Sequence, residues 1–209
     1  MNYFFIRHIR SLGNITPSLY FTHNDHEIDI CEDHIHQAAH AAEKVVDLYE
    51  SLIQPAGNWY LYHSPFLRTR RTKDFILKEL EHHYMFPIVR ENPLLSERSW
   101  GNLKNLVDIA KDTDEFFHFF YQPDNGGESF AQCYQRCVTF DNMLKNKVGE
   151  DDNVIIVGHG EHIKCYLMHL LGWTLEEFDS YKNPENCEVI LVKDGKLSSQ
   201  TPLKIRIKI

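Results

Sequence analysis

The sequence predicts an α/β domain, a three-layer α/β/α sandwich around a mostly parallel sheet, with a small inserted lid or cap region between about 92 and 127. Three observations carry this expectation. Short apolar runs alternate with helically periodic stretches, as strand–helix units do. The Val154-Ile155-Ile156-Val157 run is continuous, which suits a strand covered on both faces. A length of 209 residues is enough for one ordinary domain with a full core, so residues 1–209 are read as a single domain.

The elements follow in order. Tyr3–Ile6 is a short apolar strand. From about Glu32 to Ile53, Ala38, Ala42, Val45, Val46 and Tyr49 recur at helical spacing until Pro55-Ala56-Gly57 stops them. Trp59–Tyr62 reads as a strand, Leu67–His82 as a helix, and Ile88-Val89 as a short strand entered through Pro87. The stretch Asn92–Gly127 is the least periodic and carries Trp100 and the aromatics Phe116 to Tyr121; an irregular segment of this length suits a lid. Glu128–Lys147 is a helix, Asn153–Val157 a strand, and Ile163–Leu171 a helix closed by Gly172. Cys187–Val192 is a strand leading to an Asp194-Gly195 hairpin signal, and Leu203–Ile209 alternates as an edge strand would.

Composition bounds the function. Hydrophobic residues are 43% and charged residues 25% of the chain, near the globular average, which argues against disordered, collagen-like and coiled-coil classes. A net charge of −8 argues against a nucleic-acid partner. No apolar run approaches the ~18 residues of a membrane span, and the N-terminal apolar stretch is too short for a signal peptide and is cut by Arg7. A cytoplasmic protein with no membrane partner is expected, with specialised export without a cleaved signal left open. The cysteines Cys31, Cys133, Cys137, Cys165 and Cys187 are scattered without a C-x-x-C, and read as reduced thiols. Histidine is abundant, at 13 residues, and His36 and His40 stand at i, i+4 as zinc ligands can. No carboxylate or thiol convincingly completes that set, although Cys31 and Asp33 are near, so no metal is expected.

Three polar clusters each follow a strand directly: Arg7-His8, His63 to Thr69, and Gly158-His159-Gly160. Ligands of open parallel sheets bind beyond the carboxyl ends of the strands, so these clusters converge in space. Arginine forks and helix N-termini mark an anion site, with phosphate the best fit. Arg7, Arg10 and Arg68 are expected to make it locally basic, with Arg70 a further candidate. Neither a nucleotide P-loop, a dinucleotide fingerprint, a zinc-protease helix nor an esterase elbow is present in the sequence.

The order and wording of these motifs resemble the histidine phosphatase superfamily, in its phosphoglycerate-mutase-like branch, over nearly the whole chain. The carrying stretches are Arg7-His8-Ile9-Arg10-Ser11-Leu12-Gly13-Asn14, Ser64-Pro65-Phe66-Leu67-Arg68-Thr69, Leu95-Ser96-Glu97-Arg98-Ser99-Trp100-Gly101, Gly127-Glu128-Ser129 and Val157-Gly158-His159-Gly160. Asp25-His26, Trp100-Gly101-Asn102, Phe119-Phe120-Tyr121 and Asn183-Pro184-Glu185-Asn186-Cys187-Glu188 are similar to plant and fungal members of broad substrate range.

The resemblance implies a phosphomonoester hydrolase that needs no metal or other cofactor, acts on a small phosphorylated substrate and releases inorganic phosphate. It implies His8 as the nucleophile, Arg7, Arg68 and His159 as phosphate ligands, and Glu97 as the general acid and later base. Asn14 is implied as a further contact, and Arg10, Ser64, Gly160 and Glu128 are candidate substrate contacts. Three departures stand out: Ile9 for the motif glycine, Arg10 for the usual Glu or Gln, and His34 where glycine is common. Ile9 bears on rate, Arg10 on substrate preference. A phosphoglycerate-type mutase and a weakly active or inactive phosphate-binding relative stay open as alternatives, as do the oligomeric state and the identity of the substrate.

Overall fold

A computed structural model describes residues 1–52, 57–102, 120–121 and 126–198. Six strands form its sheet: β1 (Asn2–Arg7), β2 (Trp59–His63), β3 (Ile88–Glu91), β4 (Asn153–Gly158), β5 (Val189–Lys193) and β6 (Lys196–Leu197), in the spatial order β3-β2-β4-β1-β5-β6. Strands β3, β2, β4 and β1 run parallel, while β5 and β6 are antiparallel additions on one side.

Helices cover both faces, for a reason visible in β1. Side chains alternate across a strand, so Tyr3 and Phe5 enter one core while Phe4 and Ile6 enter the other. The first core receives Cys133, Cys137 and Phe140 from α4 (Phe130–Lys145) and Ile163 and Tyr166 from α5 (Gly160–Leu171), where the helix labels run in chain order. The second receives Ala38, Ala42 and Val45 from α2 (His36–Leu52) and Ile76 and Leu80 from α3 (Leu67–His82). Every residue of β4 is buried. The layers, the central strand and the mostly parallel sheet agree with the sequence expectation.

Local chemistry sets the element ends. The helix expected from about Glu32 begins at His36, because Glu32–His34 forms a separate 3₁₀ turn. In α4, Ser129 and Gln132 cap each other's backbone, so the helix starts at Phe130 rather than Glu128. Helix α5 starts at Gly160, earlier than its apolar periodicity suggests, and ends on Gly172 in the left-handed conformation at φ 65°. Strand β5 begins at Val189 rather than Cys187, whose φ of 55° is incompatible with a strand. Asp194 and Gly195, at φ 52° and 68°, make the tight turn into β6 that Asp-Gly announced.

Two short helices escaped the sequence pattern, α1 (Leu12–Ile15) and α6 (Leu175–Ser180). Each is held by a capping box, Ser11 with Asn14 and Thr174 with Glu177, rather than by a long apolar stripe. The expected edge strand Leu203–Ile209 and most of the expected lid, residues 103–119 and 122–125, lie outside the described residues. Of the aromatic stretch, Phe120 is buried beside Phe130 and Phe178, whereas Tyr121 is exposed. No helix among the described residues is long and apolar enough to cross a membrane.

Candidate active site

Register delivers the polar clusters to one place. Arg7 lies opposite Gly158 in the β1–β4 ladder, and His63 opposite Val157 in β2–β4. The chains leave these strand ends still bonded to one another: His8 N donates to Gly158 O at 3.0 Å and Ser64 N to Val157 O at 3.2 Å. The His8 and His159 rings consequently meet edge to face, with centroids 5.3 Å apart. Both residues are buried.

The proton on His8 can be placed. Its Nδ1 lies 2.6 Å from the carbonyl oxygen of Ile9. A carbonyl only accepts, so Nδ1 carries the hydrogen and Nε2 keeps its lone pair. Burial, then the charges of Arg68 and Arg7, hold the His8 pKa well below its ordinary value, so the ring is neutral around pH 7. The His159 pKa is lowered likewise by burial and by Arg68. His159 Nε2 is 2.8 Å from Ser64 Oγ, and the same oxygen receives Phe66 N at 3.3 Å.

Around this pair lie buried nitrogens without a protein partner: Arg7 Nε, Arg68 Nε and His159 Nδ1. An unmet buried donor costs roughly 1–3 kcal/mol, more for a charged group, so two arginine nitrogens beside an unpartnered ring nitrogen describe a site built for an acceptor-rich anion. The remaining donors hold the arginines still. Arg7 Nη1 donates to Pro184 O at 2.6 Å, and Arg68 Nη1 donates to Asp25 O at 2.6 Å. Arg68 Nη1 also pairs with Asp25 Oδ1 at 2.9 Å, as an ion contact without hydrogen-bond alignment. Gly160 packs against the Arg7 guanidinium, where a Cβ would make ordinary contact with Arg7 Cζ at 3.4 Å.

Glu97 lines a cavity of about 630 Å³ together with Asp25, Phe66 and Trp100. Burial, then the charge of Glu161, pushes its carboxyl up to about 8, against a lowering by the Arg98 backbone hydrogen bond. It is therefore protonated near neutral pH. Glu97 Oε1 accepts from Arg98 N at 2.9 Å and His162 N at 3.1 Å, which fixes the carboxyl against the first turn of α5.

Not every expected contact is where the motif put it. Glu128 is bound in two-point fashion by Arg136 at 2.6 and 2.7 Å and lines a different recess, with Gln132 and Thr139. Its structural part is a backbone one, since Glu128 O accepts Arg98 Nη1 at 2.8 Å. Arg70 lines the main cavity, but its guanidinium is gripped by Glu91 at 2.6 and 2.9 Å. Arg10 is exposed and shares a second recess of about 410 Å³ with Arg7 and Asn14. Asn14 Oδ1 receives Ser11 N and Asn186 Nδ2, both at 3.2 Å, so that oxygen braces the loop.

Ile9 is buried among Ile6, Ile30 and Ala38, with no left-handed backbone, and its N–H donates to Thr72 Oγ1 at 2.9 Å. Apolar packing rather than glycine's freedom fills that position. Among the described residues no group of three His, Cys, Asp or Glu side chains is arranged to hold a metal ion, the His36–His40 pair included.

The structure adds residues that motif reading did not assign. Glu161 Oε2 joins Arg98 Nε at 2.8 Å and Trp100 Nε1 at 2.7 Å, clamping the Glu97 segment to α5. Asn186 Nδ2 donates to His8 O at 2.9 Å and steadies the nucleophile's backbone. The available signals were adjacency alone: Arg98 follows Glu97, and Glu161 follows His159-Gly160.

The fold and this paired-histidine, paired-arginine site define a phosphoryl-handling enzyme of the histidine type. The family model of the histidine phosphatase superfamily (branch 1) matches residues 3–197, and the chain belongs to that family and is an enzyme of the histidine phosphatase type. It is 31% identical to a phosphoglycerate mutase-like protein of Arabidopsis thaliana, covering 94% of this chain and 75% of that protein. A broad-range acid phosphatase of Saccharomyces cerevisiae is 30% identical over 50% of this chain and 34% of its own length. A mycobacterial glucosyl-3-phosphoglycerate phosphatase structure superposes with a TM-score of 0.69 at 17% identity, covering 92% and 89% of the two chains, which shows the shared fold.

Proposed function

We propose that the protein hydrolyses phosphomonoesters, without a metal, through a phosphohistidine formed on His8. The observation that carries this reading is the fixed tautomer of His8, whose lone-pair nitrogen belongs to a ring surrounded by buried donors without protein partners.

The chemistry follows from these positions. His8 Nε2 attacks phosphorus, and the bond from phosphorus to the leaving oxygen breaks. Protonated Glu97 gives that oxygen its hydrogen, which matches a carboxyl held up to about 8. Arg7, Arg68 and His159 face the charge spread over the phosphoryl oxygens, and such preorganised donors supply the largest share of catalysis. The Glu97 carboxylate then takes a proton from water as water attacks the phosphohistidine, and inorganic phosphate leaves. Ile9 supports the reading, because its backbone both orients His8 and is itself anchored to Thr72.

The test is hydrolysis of an aryl phosphate in the presence of a chelator, with trapping of an acid-labile phosphoenzyme. His8→Ala is expected to lose activity by about 10⁴-fold or more and to form no phosphoenzyme. Equal rates in wild type and variant would overturn the proposal.

A further inference from the structure

The cavity in front of the phosphate donors is far larger than a phosphate requires, at about 630 Å³, within the range of small-molecule sites. Glu97, the proposed proton donor, lines it, and so its other lining residues stand on the leaving-group side. Four rings line it in two contacting pairs, Tyr20 with Trp100 at 5.4 Å and His26 with Phe66 at 6.3 Å. The pairs are anchored to the catalytic groups. Trp100 Nε1 is bonded to Glu161, and Phe66 lies edge-on to His159 at 4.9 Å with Arg68 Cζ over its face, also at 4.9 Å.

The charges of this lining point the same way. Asp25 contributes a carboxylate. Arg70 is the arginine on the leaving-group side among the described residues, and both its hydrogen bonds go to Glu91. His26 faces Glu27 at 3.9 Å. A second anionic group on the substrate would meet the carboxylate of Asp25, already paired with Arg68 at 2.9 Å, in a partly desolvated cleft and would find no uncommitted arginine among the described residues of this lining. Aromatic walls instead reward a flat, uncharged ring.

We propose that the substrate class of this site is the phosphomonoester of an uncharged, ring-bearing alcohol, in preference to phosphorylated carboxylic acids or bisphosphates. This rests on His8 as the phosphoryl acceptor. The discrimination is set by Trp100 and Tyr20 for the ring, and by Asp25 with the Arg70–Glu91 pair against a second anion.

The experiment compares kcat/KM for ethyl, benzyl and 4-carboxybenzyl phosphate, whose leaving alcohols have comparable basicity. Benzyl phosphate is expected to exceed ethyl phosphate roughly tenfold, as ring contacts do. The 4-carboxybenzyl ester is expected to fall roughly tenfold below benzyl, as a like charge placed beside Asp25 does. Trp100→Leu should shrink the benzyl-to-ethyl ratio toward one. Glu91→Gln, at the surface end of β3, should release Arg70 and raise the carboxybenzyl-to-benzyl ratio. Equal wild-type rates for benzyl and ethyl, or a carboxybenzyl rate at or above benzyl, would overturn the proposal while leaving the hydrolase intact. If none of the three is hydrolysed, calorimetry with benzylphosphonate and ethylphosphonate decides. Tighter benzylphosphonate binding would support the ring site with the hydrolytic reading gone, and equal binding would overturn both.

Discussion

Two buried polar clusters sit in this domain, and they are built on opposite terms. Around Asp141 every acceptor site is used. Oδ1 receives the hydroxyls of Tyr3 at 2.6 Å and Tyr166 at 3.2 Å, and Oδ2 receives His169 Nε2 at 2.9 Å and Lys145 Nζ at 2.7 Å. These partners hold the Asp141 carboxyl well below the usual carboxylate range despite its burial. Around His8 the arithmetic is reversed, with Arg7 Nε, Arg68 Nε and His159 Nδ1 buried and unmet. A saturated cluster fixes the packing of α4 and α5 on β1. An unsaturated one, held rigid by the same backbone, keeps its donors for a ligand. The difference between structure and function here is whether the hydrogen bonds close within the protein.

If that contrast is right, the two clusters fail differently. Among variants that keep the nucleophile and its arginines, the largest effect is expected at Glu97. Glu97→Gln removes the transferable proton and should reduce turnover of an alkyl phosphate by about 10²–10³-fold, and an aryl phosphate with a good leaving group much less. The pH profile gives the sign. Activity in the wild type needs Glu97 protonated, so it falls as pH rises through about 8, and it needs His8 neutral, so it falls as pH drops through a value below 6.5. The variant should lose the alkaline limb and keep the acid one. An unchanged alkaline limb would remove Glu97 from the acid role.

How much of this was legible in the sequence follows the same division. Groups that repeat a local pattern could be read. The apolar runs of β1 and β4 and the Asp194-Gly195 turn were placed correctly, and Arg7, His8 and His159 meet at adjacent strand ends while Glu97 lines the cavity beside them. Groups whose role depends on a distant partner could not. Glu128 carries a family motif, yet Arg136, eight residues on and within α4, claims its carboxylate. Arg70 looked like part of a basic pocket until Glu91 of β3, paired to β2, was brought beside it. Glu161 has no pattern of its own, and its value appears only when Arg98 and Trp100 reach it across the fold.

The next largest effect separates stability from activity. Asp141→Asn leaves Lys145, His169 and two tyrosine hydroxyls competing for an amide, and should cost about 3 kcal/mol of folding stability. Denaturant unfolding would measure it, with kcat/KM of the folded fraction close to wild type. The pH dependence is also signed. A carboxyl lowered in the folded state adds stability above its unfolded value near 3.8, lost as pH falls through the folded one, so the variant should show less acid destabilisation than wild type. An activity loss matching Glu97→Gln would mean that the two clusters are coupled, not independent.

The smallest effect on stability is the most discriminating, because the two clusters should respond with opposite sign. Arg68 is 2% exposed, and its unmet Nε is a standing cost in the free protein. Removing one member of an ion pair is costly when the other is left buried, and tolerable when the other can reach water. Asp25, 37% exposed at its side chain, can turn to water once its partner is gone. Arg68→Leu should therefore leave the thermal midpoint of the ligand-free protein equal or higher while abolishing activity. Inorganic phosphate at a hundredfold its Kd should stabilise the wild type by about 2.7 kcal/mol and the variant by nothing measurable. Loss of stability in Arg68→Leu comparable to that in Asp141→Asn would show that Arg68 is closed within the protein after all, and that its free nitrogen is not held for an anion.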